Sequence, residues 1–282
     1  MTRAGNLDII ARLASVAQSV VHLTRNEKVA CSSQVTSSMK TPTRMGWRFL
    51  KSPEAVTMKR YYEAYNDRYA QVHKENLSWF SSEPSPILEE VIWEFGIRPE
   101  NRMLEIGCGE GRDAGHLLKQ GYHLLATDVS ERAVAFCQKA YPEYASQFQV
   151  VDCLQSSLDE TFDFLYAIAV VHMLVLDEDR SRFYRFIRNH LSKNGIALIC
   201  TMGDGSRESR SDIETAFLLQ DRQHEATGKW LRIASTSYRA VCFSYFEEEL
   251  ISHGFDILKQ GITLVEPDYG NMMFAVVKRR DL

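Results

Sequence analysis

The sequence predicts an α/β fold that opens as a βαβ unit, and three observations lead there. Residues 102–106 are a short apolar run, GCGEG (107–111) turns the chain, and RDAGHLLKQ continues with helical spacing until Gly121 stops it. HLLATD (123–128) follows as a second apolar run that closes on an acid. A length of 282 residues, 45% hydrophobic and 25% charged, suits one globular α/β domain with an appendage.

Residues 1–51 read as an N-terminal extension. In residues 8–23, Ile9, Leu13, Val16, Val20 and Leu23 share one helical face, and the Ser-rich CSSQVTSSMKTPT comes after. Three readings compete for it: a helix docked on the main domain or on a dimer partner, a targeting segment, or sequence upstream of the natural start. Asp8 and Glu27 suit a transit peptide poorly, and a signal peptide wants an apolar block where this stretch is periodic, so a mobile or docking helix is the expectation. Methionines 39, 45 and 58 keep the start site open.

The main domain is expected over 52–282. PEAVTMKRYYEAYNDRYAQVH (53–73) predicts a helix opened by Pro53, with Tyr62, Tyr65 and Tyr69 on one face as an aromatic packing stripe. The loop ENLSWFSSEPSP leads to a second helix, ILEEVIWEF, that ends at Gly96.

Charge and cysteine usage exclude several partners. A formal net charge of −4 and a pI near 6.1 argue against nucleic acid or an anionic membrane as the target, and favour small neutral or cationic molecules. The cysteines at 31, 108, 137, 153, 200 and 242 show neither a CxxC pair nor zinc spacing, so reduced thiols in a cytoplasmic protein without a bound metal are expected. No run of 18 apolar residues occurs. A monomer or homodimer is anticipated.

The glycine spacing decides what the turn holds. Gly107, Gly109 and Gly111 are followed by Arg112 and Asp113, which is not the dinucleotide G-x-G-x-x-G, and no P-loop Lys-Ser pair is present. Glycines let backbone approach a ligand, a helix N-terminus offers N–H groups, and the acid Asp128 after the second strand suits a ribose diol. The E-x-G-x-G-x-G pattern from Glu105, closed by Asp128, resembles the first two motifs of class I S-adenosylmethionine-dependent methyltransferases. FQVVDCL, FDFLYAIAVVHML, FYRFIRNHLSKNGIALICTM, GFDILKQGITLVEP and MMFAVVKR resemble that family's later strands and a helix in the same order.

The resemblance covers about residues 54–278 and implies a Rossmann-like seven-stranded mixed sheet, order 3-2-1-4-5-7-6, with helices on both faces. It also implies S-adenosyl-L-methionine as cofactor, held by Glu105, Gly107, Cys108, Gly109, Arg112, Asp128 and Val129. On the same ground Asp152 and the Cys153 backbone would meet adenine, backbone near Ala169 the methionyl part, and His172 the mouth of the active site. GRDA and the YNDRYAQVH…W lead-in look like the thiopurine and tellurite-resistance type of small-molecule methyltransferase. Tyr69 and Trp79 are then candidates to face the sulfonium, an interaction worth about 0.5–2 kcal/mol per ring, and Arg112 to pair with the methionyl carboxylate.

For chemistry, methyl transfer asks mainly for alignment and dryness. His172 is the first candidate for a base, with His73 behind it, and Tyr69 is the second catalytic candidate through its ring at the sulfonium. The long connection after strand five predicts a cap insertion over about 203–240, with Met202, Gly203 and Asp204 leading toward the substrate and Arg210, Arg232 and Arg239 able to receive an anionic group. No NPPY-like tetrapeptide follows strand four, which argues against DNA, RNA or release-factor substrates. Three functions remain: methyl transfer to a small metabolite, cyclisation of S-adenosylmethionine to azetidine-2-carboxylic acid with release of methylthioadenosine in secondary metabolism, and non-catalytic cofactor binding.

Overall fold

The computed structural model describes residues 59–80, 83–265 and 269–280. The chain divides into two units, Met1–Val56 and Thr57–Leu282, and all described residues lie in the second. The amphipathic segment 8–23, Cys31 and the Pro53 helix start lie outside the described residues. Arg60 is extended (φ −78°, ψ 143°) and its N–H donates to Glu63 Oε2 at 3.0 Å, so Arg60 caps a single 3-10 turn, Tyr61–Glu63. The helix expected from residue 53 therefore corresponds, where the chain is described, to α1 (Ala64–Lys74). The second expected helix is α2 (Pro86–Glu94), with its proline in the first turn.

The βαβ start forms as read: β1 (Met103–Ile106), α3 (Arg112–Lys119) and β2 (Leu124–Asp128). Then come α4 (Glu131–Ala140), capped by the Ser130 side chain, β3 (Phe148–Val150) and β4 (Phe162–Ile168). Helix α5 (Asp177–His190) runs directly into β5 (Leu191–Met202). The pairing of β4 with β5 is irregular at its start: Leu191 lies opposite Phe162 and Ile196 opposite Phe164.

Residues between β5 and the last helix form two small antiparallel pairs, β6 (Ser209–Arg210) with β9 (Arg239–Ala240) and β7 (Leu219–Gln223) with β8 (Trp230–Ala234). The chain closes with α6 (Phe243–Ser252), β10 (Phe255–Val265) and β11 (Tyr269–Arg279). Seven strands make one sheet in the order β10-β11-β5-β4-β1-β2-β3. Neighbours from β3 across to β5 pair in parallel, and β11 is antiparallel to both β5 and β10. Counting sheet strands alone, this is 3-2-1-4-5-7-6.

The central strands are buried on both faces because their apolar residues serve two cores in alternation. Met103, Phe164, Tyr166, Leu198 and Phe274 pack with α2, α3 and α4, while Leu104, Leu165, Ala167, Ile199 and Ala275 pack with α5 and α6. Each such large side chain contributes about 1.5–3 kcal/mol through burial. Arg180, 1% exposed, joins α5 to α6 through two 2.5 Å bonds to Glu249, and its Nη1 donates to the Val171 and Leu174 carbonyls. That guanidinium thereby fixes the turn leaving β4. Among the described residues no helix is long and apolar enough to cross a membrane.

Candidate functional site

The glycine turn is built from left-handed residues: φ is +76° at Gly107, +53° at Gly109 and +79° at Gly111. Gly107 and Cys108 donate to the Thr127 carbonyl at 2.7 and 2.9 Å, and Gly109 N–H donates to Asp128 Oδ2 at 2.9 Å. The other Asp128 oxygen accepts Ser130 N–H at 2.8 Å. Burial pushes the Asp128 carboxyl above its ordinary range, against the pull of these backbone N–H bonds. Its remaining lone pairs leave room for two more donors.

A cavity opens at the C-terminal ends of β1, β2 and β4. Glu105, Gly107, Cys108, Gly109, Arg112, Asp128, Val129, Asp152, Cys153 and Ala169 all line it, and Tyr69 covers it together with Tyr62, Tyr65 and Phe80. Ala169 sits at φ +62°, a conformation that costs a non-glycine residue about 1–3 kcal/mol and that turns backbone toward the cavity. Glu105 accepts the Tyr166 hydroxyl at 3.1 Å, and burial with Asp113 nearby raises its carboxyl well above normal. Arg112 donates to Ser85 Oγ at 2.7 Å and pairs with Asp113 at 3.2 Å. Asp152 accepts Arg60 at 2.5 Å, the Tyr62 hydroxyl at 3.1 Å and Leu154 N–H at 2.9 Å.

Two acids in and after the turn, neither among the expected site residues, hold the cover in place. Glu110 accepts His73 Nε2 at 2.7 Å, Trp79 N–H at 2.9 Å and Phe80 N–H at 3.0 Å. Asp113 accepts both Ser85 N–H (2.7 Å) and Ser85 Oγ (2.8 Å). His73, weighed as a reserve base, is engaged there and stacks between Tyr69 and Phe136. The only signal in the sequence was acidity at a helix start, which ordinarily means favourable interaction with the helix dipole.

A second cavity adjoins the first and shares Tyr65 and Phe80 with it. Trp79 and His172 line this one and not the first. The Trp79 ring is engaged by the guanidiniums of Arg68 (4.9 Å) and Arg222 (5.1 Å), which occupy it with cations of the protein. His172 is 1% exposed, and burial, with Arg180 adding to it, pulls its imidazole down to about 3. Met202 reaches the second cavity, whereas Arg210 and Arg232 are exposed and line neither. Arg239 is bound to Asp177 at 2.5 Å and to Tyr245, and Asp204 caps its own turn by accepting Ser206 and Arg207 N–H. The cap arginine that faces the cavity is Arg222. Among the described residues, no group of three His, Cys, Asp or Glu side chains is arranged to hold a metal ion.

Residues 104–199 match the family model of a methyltransferase domain. The matched segment runs from β1 into β5. The chain is 28% identical over 121 residues to the malonyl-[acyl-carrier protein] O-methyltransferase of Magnetococcus marinus, spanning 42% of this chain and 44% of the relative, less than half its length. Its fold is that of the Burkholderia thailandensis 1,6-didemethyltoxoflavin-N1-methyltransferase, solved with 1,6-didemethyltoxoflavin and S-adenosylhomocysteine (TM-score 0.60, 15% identity, 82% of this chain and 94% of that one). The glycopeptide N-methyltransferase MtfA, solved with sinefungin, is also similar (TM-score 0.54, 17% identity, 71% and 88%).

Proposed function

We propose that the protein is an S-adenosylmethionine-dependent methyltransferase acting on a small molecule. The observation that supports it most is the pair of adjoining cavities, one walled by the glycine turn and its acids, the other reached past Tyr65 and Phe80. The relatives' names, which specify a glycopeptide and 1,6-didemethyltoxoflavin, support a small-molecule acceptor from secondary metabolism.

The first cavity's residues fit the cofactor. Left-handed glycines keep the turn free of side chains, Asp128 receives the ribose diol, Asp152 and the Cys153 backbone hold adenine, and backbone at Ala169 with Arg112 holds the methionyl end. Tyr69 and its neighbours present ring faces to the sulfonium and keep water out. When bound, S-adenosylmethionine supplies a methyl group on a sulfonium, transferred in line to the acceptor's lone pair and leaving S-adenosylhomocysteine. His172 is too weak a base to take a proton at neutral pH, so its part is to wall the second cavity, and the acceptor brings a nucleophile that needs no base from it.

Cyclisation to azetidine-2-carboxylic acid draws support only from the aromatic closure of the first cavity. It needs no second chamber, and the adjoining cavity therefore favours methyl transfer. Mass spectrometry of the protein incubated with S-adenosylmethionine separates the readings. S-adenosylhomocysteine formed only with a metabolite extract is expected; methylthioadenosine formed without any acceptor would replace methyl transfer by cyclisation. Binding without either product would leave a non-catalytic cofactor-binding protein.

A further inference from the structure

The second cavity carries a charge arrangement that methyl transfer by itself does not require. Arg222, on the exposed face of β7, lays its guanidinium over Trp79, and among the described residues no carboxylate stands within ion-pair distance of it. Arg68 approaches the same ring from α1, buried, with its Nε and Nη2 donating to the carbonyls of Ala234 and Ser235. Among the described residues Glu225 is the one acid on this wall, and burial keeps His172 uncharged. The wall is thus net positive.

The same wall stores strain. Thr236 is β-branched yet sits at φ +61°, held by its N–H to the Ala216 carbonyl at 2.8 Å and its Oγ1 to the Ser235 carbonyl at 2.6 Å. Such a conformation costs about 1–3 kcal/mol and persists where surrounding structure imposes it, commonly at ligand sites. The other strained non-glycine cavity residue, Ala169, lines the first chamber.

We propose that this cavity is the acceptor chamber and selects a small molecule bearing a carboxylate, which docks on Arg222 where that guanidinium lies over Trp79. A guanidinium stacked on an indole is held in one plane, so its edge presents paired N–H donors that match the two oxygens of a carboxylate. A phosphate dianion would ask for more cations than this wall offers and would meet Glu225. The inference rests on the methyl-transfer reading, since it assigns the acceptor to the second chamber.

Calorimetry on the full chain saturated with S-adenosylhomocysteine tests it, using benzoate, phenylacetate and hexanoate, each beside its amide. At least one carboxylate is expected to bind at least tenfold tighter than its amide. Arg222→Ala should lower that affinity at least tenfold and leave S-adenosylhomocysteine binding unchanged, with Arg222→Lys restoring only part. Equal binding of acid and amide, no binding by any of the acids, or an R222A variant that binds them as well as the parent would overturn the proposal. Failure to bind S-adenosylhomocysteine at all would instead overturn the functional reading beneath it.

Discussion

The hydroxyl of Tyr69 stands 2.8 Å from where a Cβ on Gly109 would be. The cover of the first cavity and the turn that forms its floor thus meet at a residue with no side chain.

Gly109→Ala should therefore fail twice, through its left-handed φ and through collision with Tyr69. We expect a loss of about 1–3 kcal/mol in urea unfolding. Adding Tyr69→Phe should recover the steric share and not the backbone share. Full recovery in the double variant would show that φ costs nothing there.

Glu110 holds the cover by two backbone N–H groups and His73. Glu110→Gln keeps one carbonyl acceptor and turns an amide toward a donor, leaving a buried group unmatched at a cost of about 1–3 kcal/mol. Amide exchange at Trp79 and Phe80 should accelerate, and S-adenosylhomocysteine should leave faster in stopped-flow. Unchanged exchange would mean that the aromatic packing alone holds the segment.

Asp152 is engaged by Arg60 and Tyr62 at the adenine end. Asp152→Asn should weaken S-adenosylhomocysteine binding about tenfold, the scale of one charge-assisted hydrogen bond. Arg60→Ala should change it less than about threefold, because Arg60 is 44% exposed and exposed ion pairs contribute little. Calorimetry giving the reverse order would make Arg60 the binding residue.

His172 predicts an acid sensitivity of folding. Its folded pKa lies at about 3, below the ordinary 6.5, so below pH 6.5 the unfolded chain takes up a proton that the folded chain refuses. The group's stabilisation is complete above pH 6.5 and is lost by about 1.4 kcal/mol per pH unit down to about 3. Between pH 7 and pH 5, urea unfolding should show wild type losing about 2 kcal/mol more than His172→Gln. Equal losses would place the sensitivity elsewhere.

The sheet was legible because its signals are local and repeated. Alternating apolar residues at Leu104, Leu165 and Ala197 against Met103, Phe164 and Leu198 mark strands buried on both faces, and the glycines and Asp128 mark the first turn. Where the chain is described, α1 begins only at Ala64, and Pro53 as a helix-start signal says nothing of Arg60 being drawn to Asp152, 92 residues away. Trp79 was assigned to the sulfonium on its ring and on the resemblance of its lead-in, whereas its actual neighbours, Arg68 and Arg222, come from a helix and a cap hairpin far apart in the chain.

By itself, then, the amino-acid order determined the βαβ start and its glycine turn, which follow from periodicity and from glycine's freedom at short range, while the sheet order and the residues expected around the turn were implied by the motifs' resemblance to a family. Only the tertiary structure decided that Glu110 and Asp113 clasp the cover, that His172 is buried beyond use as a base at neutral pH, and that Arg222 faces the second cavity where Arg210, Arg232 and Arg239 do not. Those outcomes depend on desolvation and on partners brought together from distant parts of the chain.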